Sequence, residues 1–117
     1  MANTFRNYSA AILASNTDVV PAASGTNTNG DARAASSTCV VHALYISNID
    51  GVSSVDVDLL VGDGSPDFYV LKNVPVPANS TLVLDKPINL ETTHSLKAVT
   101  AATSDLEIVA AVLEITA

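Results

Sequence analysis

Tryptophan is absent, and the chain has two phenylalanines, three tyrosines and one cysteine in 117 residues. So few rings argue against a sugar-binding platform, which depends on exposed aromatics. The lone Cys39 cannot form an intramolecular disulfide, and without an export signal it is expected to stay a reduced thiol. Charge is scarce as well: 15% of residues are charged, against about 25% in ordinary soluble domains. Basic residues are the scarcest, five against twelve acidic for a net charge of -7. A field of that sign repels phosphate backbones and anionic bilayers, which excludes nucleic acid and membrane as expected partners. No segment approaches the roughly 20 apolar residues of a membrane span. The short run Ala10 to Ala14 is too brief for a signal-peptide core, so synthesis in a cytosol is expected.

Reactive motifs are missing too. There is no Gly-x-x-x-x-Gly-Lys-Ser/Thr phosphate loop, no Gly-x-Gly-x-x-Gly and no Gly-x-Ser-x-Gly elbow. The only imidazoles are His42 and His94. Cys39 and His42 lie on opposite faces of an extended strand, so they do not form a metal pair. Asp63 and Asp67 flank a Gly64-Ser-Pro66 turn without the spacing of a calcium loop, and are read as turn formers. Asp56 and Asp58 share one strand face, about 7 Å apart, and are read as a solvated sheet face. Tyr8, Tyr45, Phe68 and Tyr69 are read as core rings. The expected site is therefore empty: no catalytic residue, no cofactor, no metal, and no enzyme.

What is present is alternation. Ser54 to Gly62 places Val55, Val57, Leu59 and Val61 on one side and Asp56 and Asp58 on the other, the period of a half-buried strand. Thr38 to Asn48 is apolar on both faces, so both are expected to be covered. Asn48-Ile-Asp-Gly51 has the residues of a tight turn, which predicts a hairpin between these two strands and a meander running on into Phe68 to Lys72. Pro75 and Pro77 mark an edge strand or a crossing between sheets. Ser80 to Asp85, Thr93 to Ala102 and Asp105 to Thr116 are further strands. The last also fits a helical period, but its β-branched residues favour a strand. Thr4 to Ile12 and Asp18 to Ala22 complete the set.

About eight short strands separated by turns predict an all-β fold, an antiparallel β-sandwich of Ig-like or jelly-roll-like type, in one domain over 1–117. Residues 22–38 are small and polar, with no large apolar anchor. They are expected to form an exposed loop, either a subunit contact or a floppy insertion.

The order of features from Val40-Val-His-Ala-Leu-Tyr-Ile-Ser-Asn48 onward resembles the small β-sandwich virion proteins of tailed bacteriophages. The resemblance rests on Val74-Pro-Val-Pro-Ala-Asn-Ser-Thr-Leu-Val-Leu84, Ile88-Asn-Leu-Glu91, Ser95-Leu-Lys-Ala-Val-Thr-Ala-Ala-Thr103 and Val112-Leu-Glu-Ile115. Asn79 replaces the glycine usual in such turns, and Thr93-His94 the usual Gly-Asp. The resemblance implies a non-enzymatic virion structural protein: a capsid decoration or cement protein, or a neck, tail or baseplate component. Its expected partners are copies of itself, a trimer preferred, and capsid or tail subunits, and its expected location is the virion. The competing expectation is a glycan-binding or host-adhesion module using Tyr or Phe rings beside Asp63 to Asp67.

Overall fold

A computed structural model describes residues 2–101 and 105–116, and these carry nine strands in two antiparallel sheets. The strands are β1 (Ala2–Ala11), β2 (Thr17–Val20), β3 (Thr38–Asn48), β4 (Val55–Gly62), β5 (Asp67–Val76), β6 (Thr81–Leu84), β7 (Ile88–Leu90), β8 (Ser95–Thr100) and β9 (Leu106–Thr116). The C-terminal residue of the strand expected over Thr93 to Ala102 lies outside the described residues. The first sheet runs β1-β9-β3-β6, with β7 also pairing β3, and the second runs β2-β8-β4-β5.

Partners nest along the chain: β4 with β5, β3 with β6 and β7, β2 with β8, and β1 with β9. One long hairpin thus rolls up on itself, and the β9–β3 and β8–β4 ladders join its turns into two layers. That winding is a jelly roll, which decides between the two sandwich types expected.

The predicted hairpin between β3 and β4 does not form, because the two strands lie in different sheets. The Asn48–Gly51 turn does reverse the chain, but across the sandwich. Asn48 directs it by donating from Nδ2 to the Ser53 and Val76 carbonyls while its Oδ1 accepts the Asp50 amide, at 2.9 Å in each case. The meander is therefore reduced to β4–β5. Both expectations for the proline segment hold: Pro75 lies on edge strand β5, and Pro77 follows it where the chain crosses to β6. Asn79 has φ +56°. This is the left-handed region that glycine prefers and asparagine tolerates.

The core fills from the alternating residues. Tyr8, Ala10, Val41, Leu44, Ile46, Ile108, Ala110 and Val112 point inward from the first sheet, against Val19, Val57, Leu59, Leu96 and Ala98 of the second. Gly62 ends β4 where a Cβ would come within 2.8 Å of Asp67 Oδ1 and 2.9 Å of the Pro66 carbonyl, so the β4–β5 turn closes only over glycine.

Candidate interaction surface

The groups singled out from the sequence do not converge. Cys39 faces the core, where burial pushes its thiol up, while His42 is exposed on the outer face of β3 with its ring edge-on to Phe5 at 6.1 Å. His94 lies 3.7 Å from Glu91 in the turn before β8. Asp58 is used structurally: Oδ1 accepts the Asn73 amide at 2.7 Å and Oδ2 lies 3.7 Å from Lys72 Nζ. Asp67 accepts from Lys97 Nζ and from the Gly64 amide, both at 2.8 Å, and Lys97 holds its carboxyl below the ordinary range against the opposing effect of burial. Among the described residues, no group of three or more His, Cys, Asp and Glu is placed to hold a metal ion, and no helix is long and apolar enough to cross a membrane.

Two polar clusters went unread in the sequence, and both are structural. Glu114 is buried at the end of β9, where it accepts from the Tyr8 hydroxyl and lies 3.4 Å from Arg6 Nη1. Burial first, then that hydrogen bond, hold the Tyr8 hydroxyl above its ordinary pKa. The second cluster pins residues 22–38. Arg33 is 2% exposed, and its guanidinium donates to Ser37 Oγ (3.1 Å) and to the carbonyls of Pro21, His94 and Ser37 (each 2.8 Å) and Glu91 (3.0 Å). All five N–H donors are used without a carboxylate partner. Asn27 Nδ2 donates to the Val19 and Ser9 carbonyls while its Oδ1 accepts the Asn29 and Asp31 amides.

The loop expected to be exposed is thus anchored by buried polar side chains, although much of its backbone lies at the surface. Its position explains its use within the chain. Asp31 Oδ2 accepts the Ser9 amide of β1 at 3.1 Å, and Thr28 exchanges hydrogen bonds with Asp18 of β2 at 3.0 and 3.1 Å. Those are edge strands of the two sheets. The loop therefore covers part of those edges, at Ser9 of β1 and Asp18 of β2, where another strand could otherwise pair. On the opposite side, β5 carries Lys72, Pro75 and two register shifts, and Asp85-Lys86-Pro87 interrupts the β6/β7 edge. Charge, proline and irregular register all blunt an edge.

The outer faces of the two sheets differ sharply. The face of the second sheet carries Asp18, Asp56, Asp58, Asp67, Lys72 and Lys97. On the outer face of the first sheet, Glu107 is the only Asp, Glu, Lys or Arg among the described residues. The other two charged residues of its strands, Arg6 and Glu114, turn toward each other. Cross-strand rows of apolar side chains cross this face, Val83, Tyr45 and Val109 in one and Phe5, Leu113 and Val40 in another, with the polar Asn7, Ser9, His42 and Ser47 beside them. Phe5 is 77% and Tyr45 43% exposed.

The expectation that Tyr45, Phe68 and Tyr69 sit in the core is overturned; of the four rings named, Tyr8 alone is buried. The expectation that both faces of β3 are covered is corrected as well, since its outer face is bare within this chain. Phe68 and Tyr69 project beside a hollow of about 390 Å³, with Asp63, Ser65, Pro66 and His94 on its walls.

No family model matches this chain, and no curated protein matches it. Among solved structures, it is similar to a pentameric capsid protein isolated from metagenomic phage sequences, in two crystal structures, one of them solved by iodide phasing. Identity is 13% in each, with TM-scores of 0.47 and 0.45 over 95% of this chain. The chain spans 65% and 60% of the length of those proteins. No residue role passes from them to this chain.

Proposed function

We propose that this chain is a non-enzymatic structural component of a bacteriophage virion, working as one module that assembles with its own copies and with capsid or tail subunits. A capsid decoration or cement protein, or a neck or tail component, is the station proposed. The carrying observation is the first-sheet outer face: a four-strand surface with a single carboxylate, crossed by apolar rows that include the exposed Phe5, Tyr45, Val83 and Val109, and left uncovered by this chain. Burying it requires little desolvation of charge. The sequence resemblance to phage β-sandwich virion proteins supports the reading, and jelly rolls are widely used in capsids, which is an analogy of fold alone. Nothing in the strand arrangement favours three copies over another number, so the trimer expectation is not carried forward.

The experiment is reconstitution. Purified protein is added to phage particles lacking it, and bound copies are counted by mass spectrometry. Stoichiometric binding to shell or tail supports the role and fixes the station; no binding to either refutes it.

A second reading is favoured by one observation, the hollow beside Phe68 and Tyr69. A ring platform with a carboxylate, a hydroxyl and an imidazole on its walls suits a sugar, and jelly rolls also serve as lectins. A glycan array decides: binding that Tyr69→Ala and Phe68→Ala abolish supports adhesion, and an array without signal excludes it.

A further inference from the structure

We infer that the outer face of the first sheet is covered by a second copy of this chain, packed face to face. The inference rests on the assembly reading above and names its surface and its partner.

Charge selects the partner. Each chain carries -7 overall, so two copies repel wherever their acidic surfaces meet. The second-sheet face sets Asp18, Asp56 and Asp58 outward, and the turns add Asp50, Asp63 and Asp85. A basic partner would gain most on those surfaces and nothing on the first-sheet face, which offers it one carboxylate, Glu107. A copy of the chain, excluded elsewhere by its own charge, meets least opposition there.

Area agrees. Strands of 10 and 11 residues form the centre of the face. At about 4.8 Å between strands and about 3.4 Å per residue, four strands present about 19 by 34 Å, or about 600 Å². Two copies would bury about 1,200 Å², the lower bound for specific, stable interfaces.

Shape fixes the arrangement. The Tyr45–Val109 and Phe5–Leu113 rows flank a row of smaller side chains, Asn7, Ala111 and Ala43, where His42 lines a hollow with Phe5, Asn7 and Ala111. A two-fold axis across the strands along that small row lays the Tyr45–Val109 ridge of each copy on the Phe5–Leu113 ridge of the other. It also carries Glu107 toward the Thr38–Ile115 end of the facing sheet, away from its own counterpart. Such an isologous contact closes on itself as a dimer, the unit that would then dock elsewhere.

The test is sedimentation of the full chain over a concentration series, with Tyr45→Glu, Val109→Glu and the control Phe68→Glu. All three substitutions are on exposed positions, and circular dichroism checks that each keeps its β signal. The expected result is a dimer whose dissociation constant rises about 30-fold or more in Tyr45→Glu and Val109→Glu and is unchanged in Phe68→Glu. Ala111→Cys, which the axis sets opposite its own counterpart, should be bridged between chains by a bis-maleimide long enough for the roughly 10 Å that separates facing sheets, a span a disulfide cannot cover. A wild type that stays monomeric throughout, or a dimer that Phe68→Glu breaks and Tyr45→Glu does not, overturns the inference; a dimer without the Ala111→Cys bridge overturns the axis. The reconstitution assay separates the two claims. Particle binding by a chain that never dimerises leaves the virion role standing without this interface, and a dimer that binds no particle leaves the interface without the role.

Discussion

Replacing Arg33 by methionine tests whether one buried guanidinium organises the longest loop. Met keeps much of the side-chain length and removes all donors. The Pro21, Ser37, Glu91 and His94 carbonyls that Arg33 holds at 2.8 to 3.0 Å then lose their charged partner. Each acceptor left dry costs about 1–3 kcal/mol, partly offset because a charge without a carboxylate partner no longer has to be desolvated. Removing a paired charge entirely can be neutral when both partners become apolar, but backbone carbonyls cannot be mutated away. The net loss should be about 3–5 kcal/mol, a large share of the 5–15 typical of a domain. At roughly 3–6 °C per kcal/mol for this size, the thermal midpoint should fall by about 10–30 °C. Arg33→Lys, with three donors, should fall between. Hydrogen exchange supplies the local readout: the Ser9 amide, held by Asp31, should lose protection in Arg33→Met even well below the melting transition. A variant within about 0.5 kcal/mol of wild type, with Ser9 still protected, would refute the role given to Arg33.

Three further outcomes follow from the same geometry. Tyr8→Phe removes the hydroxyl that donates to buried Glu114 and should cost about 2–3 kcal/mol in denaturant titration, with an unchanged m-value. Asp67 has its folded-state pKa lowered by Lys97, so its contribution is present above the ordinary carboxylate range near 3.9 and is lost as pH falls through the lower, folded value. Asp67→Asn should therefore lose about 1 kcal/mol at pH 7 and show a flatter stability profile below about pH 4, measured by thermal melts across pH. Cys39, buried with its thiol pushed up, should react with a chromogenic disulfide reagent only as fast as the protein opens, and stoichiometrically in denaturant.

The strands were legible because alternation reports burial directly: Val55, Val57 and Leu59 face inward as their spacing requires, and β9 proved a strand despite its helical alternative. Sheet membership was less legible. Asn48–Gly51 marks a reversal, yet turn residues do not say whether the chain returns to its own sheet or crosses to the other. Residues 22–38 lie largely at the surface, as expected, but their anchoring went unread. Anchors were sought among apolar side chains, whereas Asn27 and Arg33 hold the loop through hydrogen bonds to distant carbonyls, which local sequence does not display. A lone arginine in a small-residue stretch of a base-poor chain was the available signal. The most useful misreading concerns β3. Its pattern of apolar residues on both sides predicted two covers, but periodicity records only which side chains share a face, not whether this chain supplies a neighbour for each, and Tyr45 stands exposed where it supplies none.

The nested pairing of strands also dictates an order of events. Gly62 and Asp67 meet across a tight turn, whereas Ala2 meets Thr116 only after nearly the whole polymer has been gathered. Loop-closure entropy makes the inner ladder the quick one and the outer ladder the slow one, so refolding should take milliseconds to seconds. Lesions near the β4–β5 turn should retard refolding, while those along the β1–β9 seam should chiefly hasten unravelling. During synthesis β9, the strand that closes the roll, thus leaves the ribosome after β1 and β3, the two it must join.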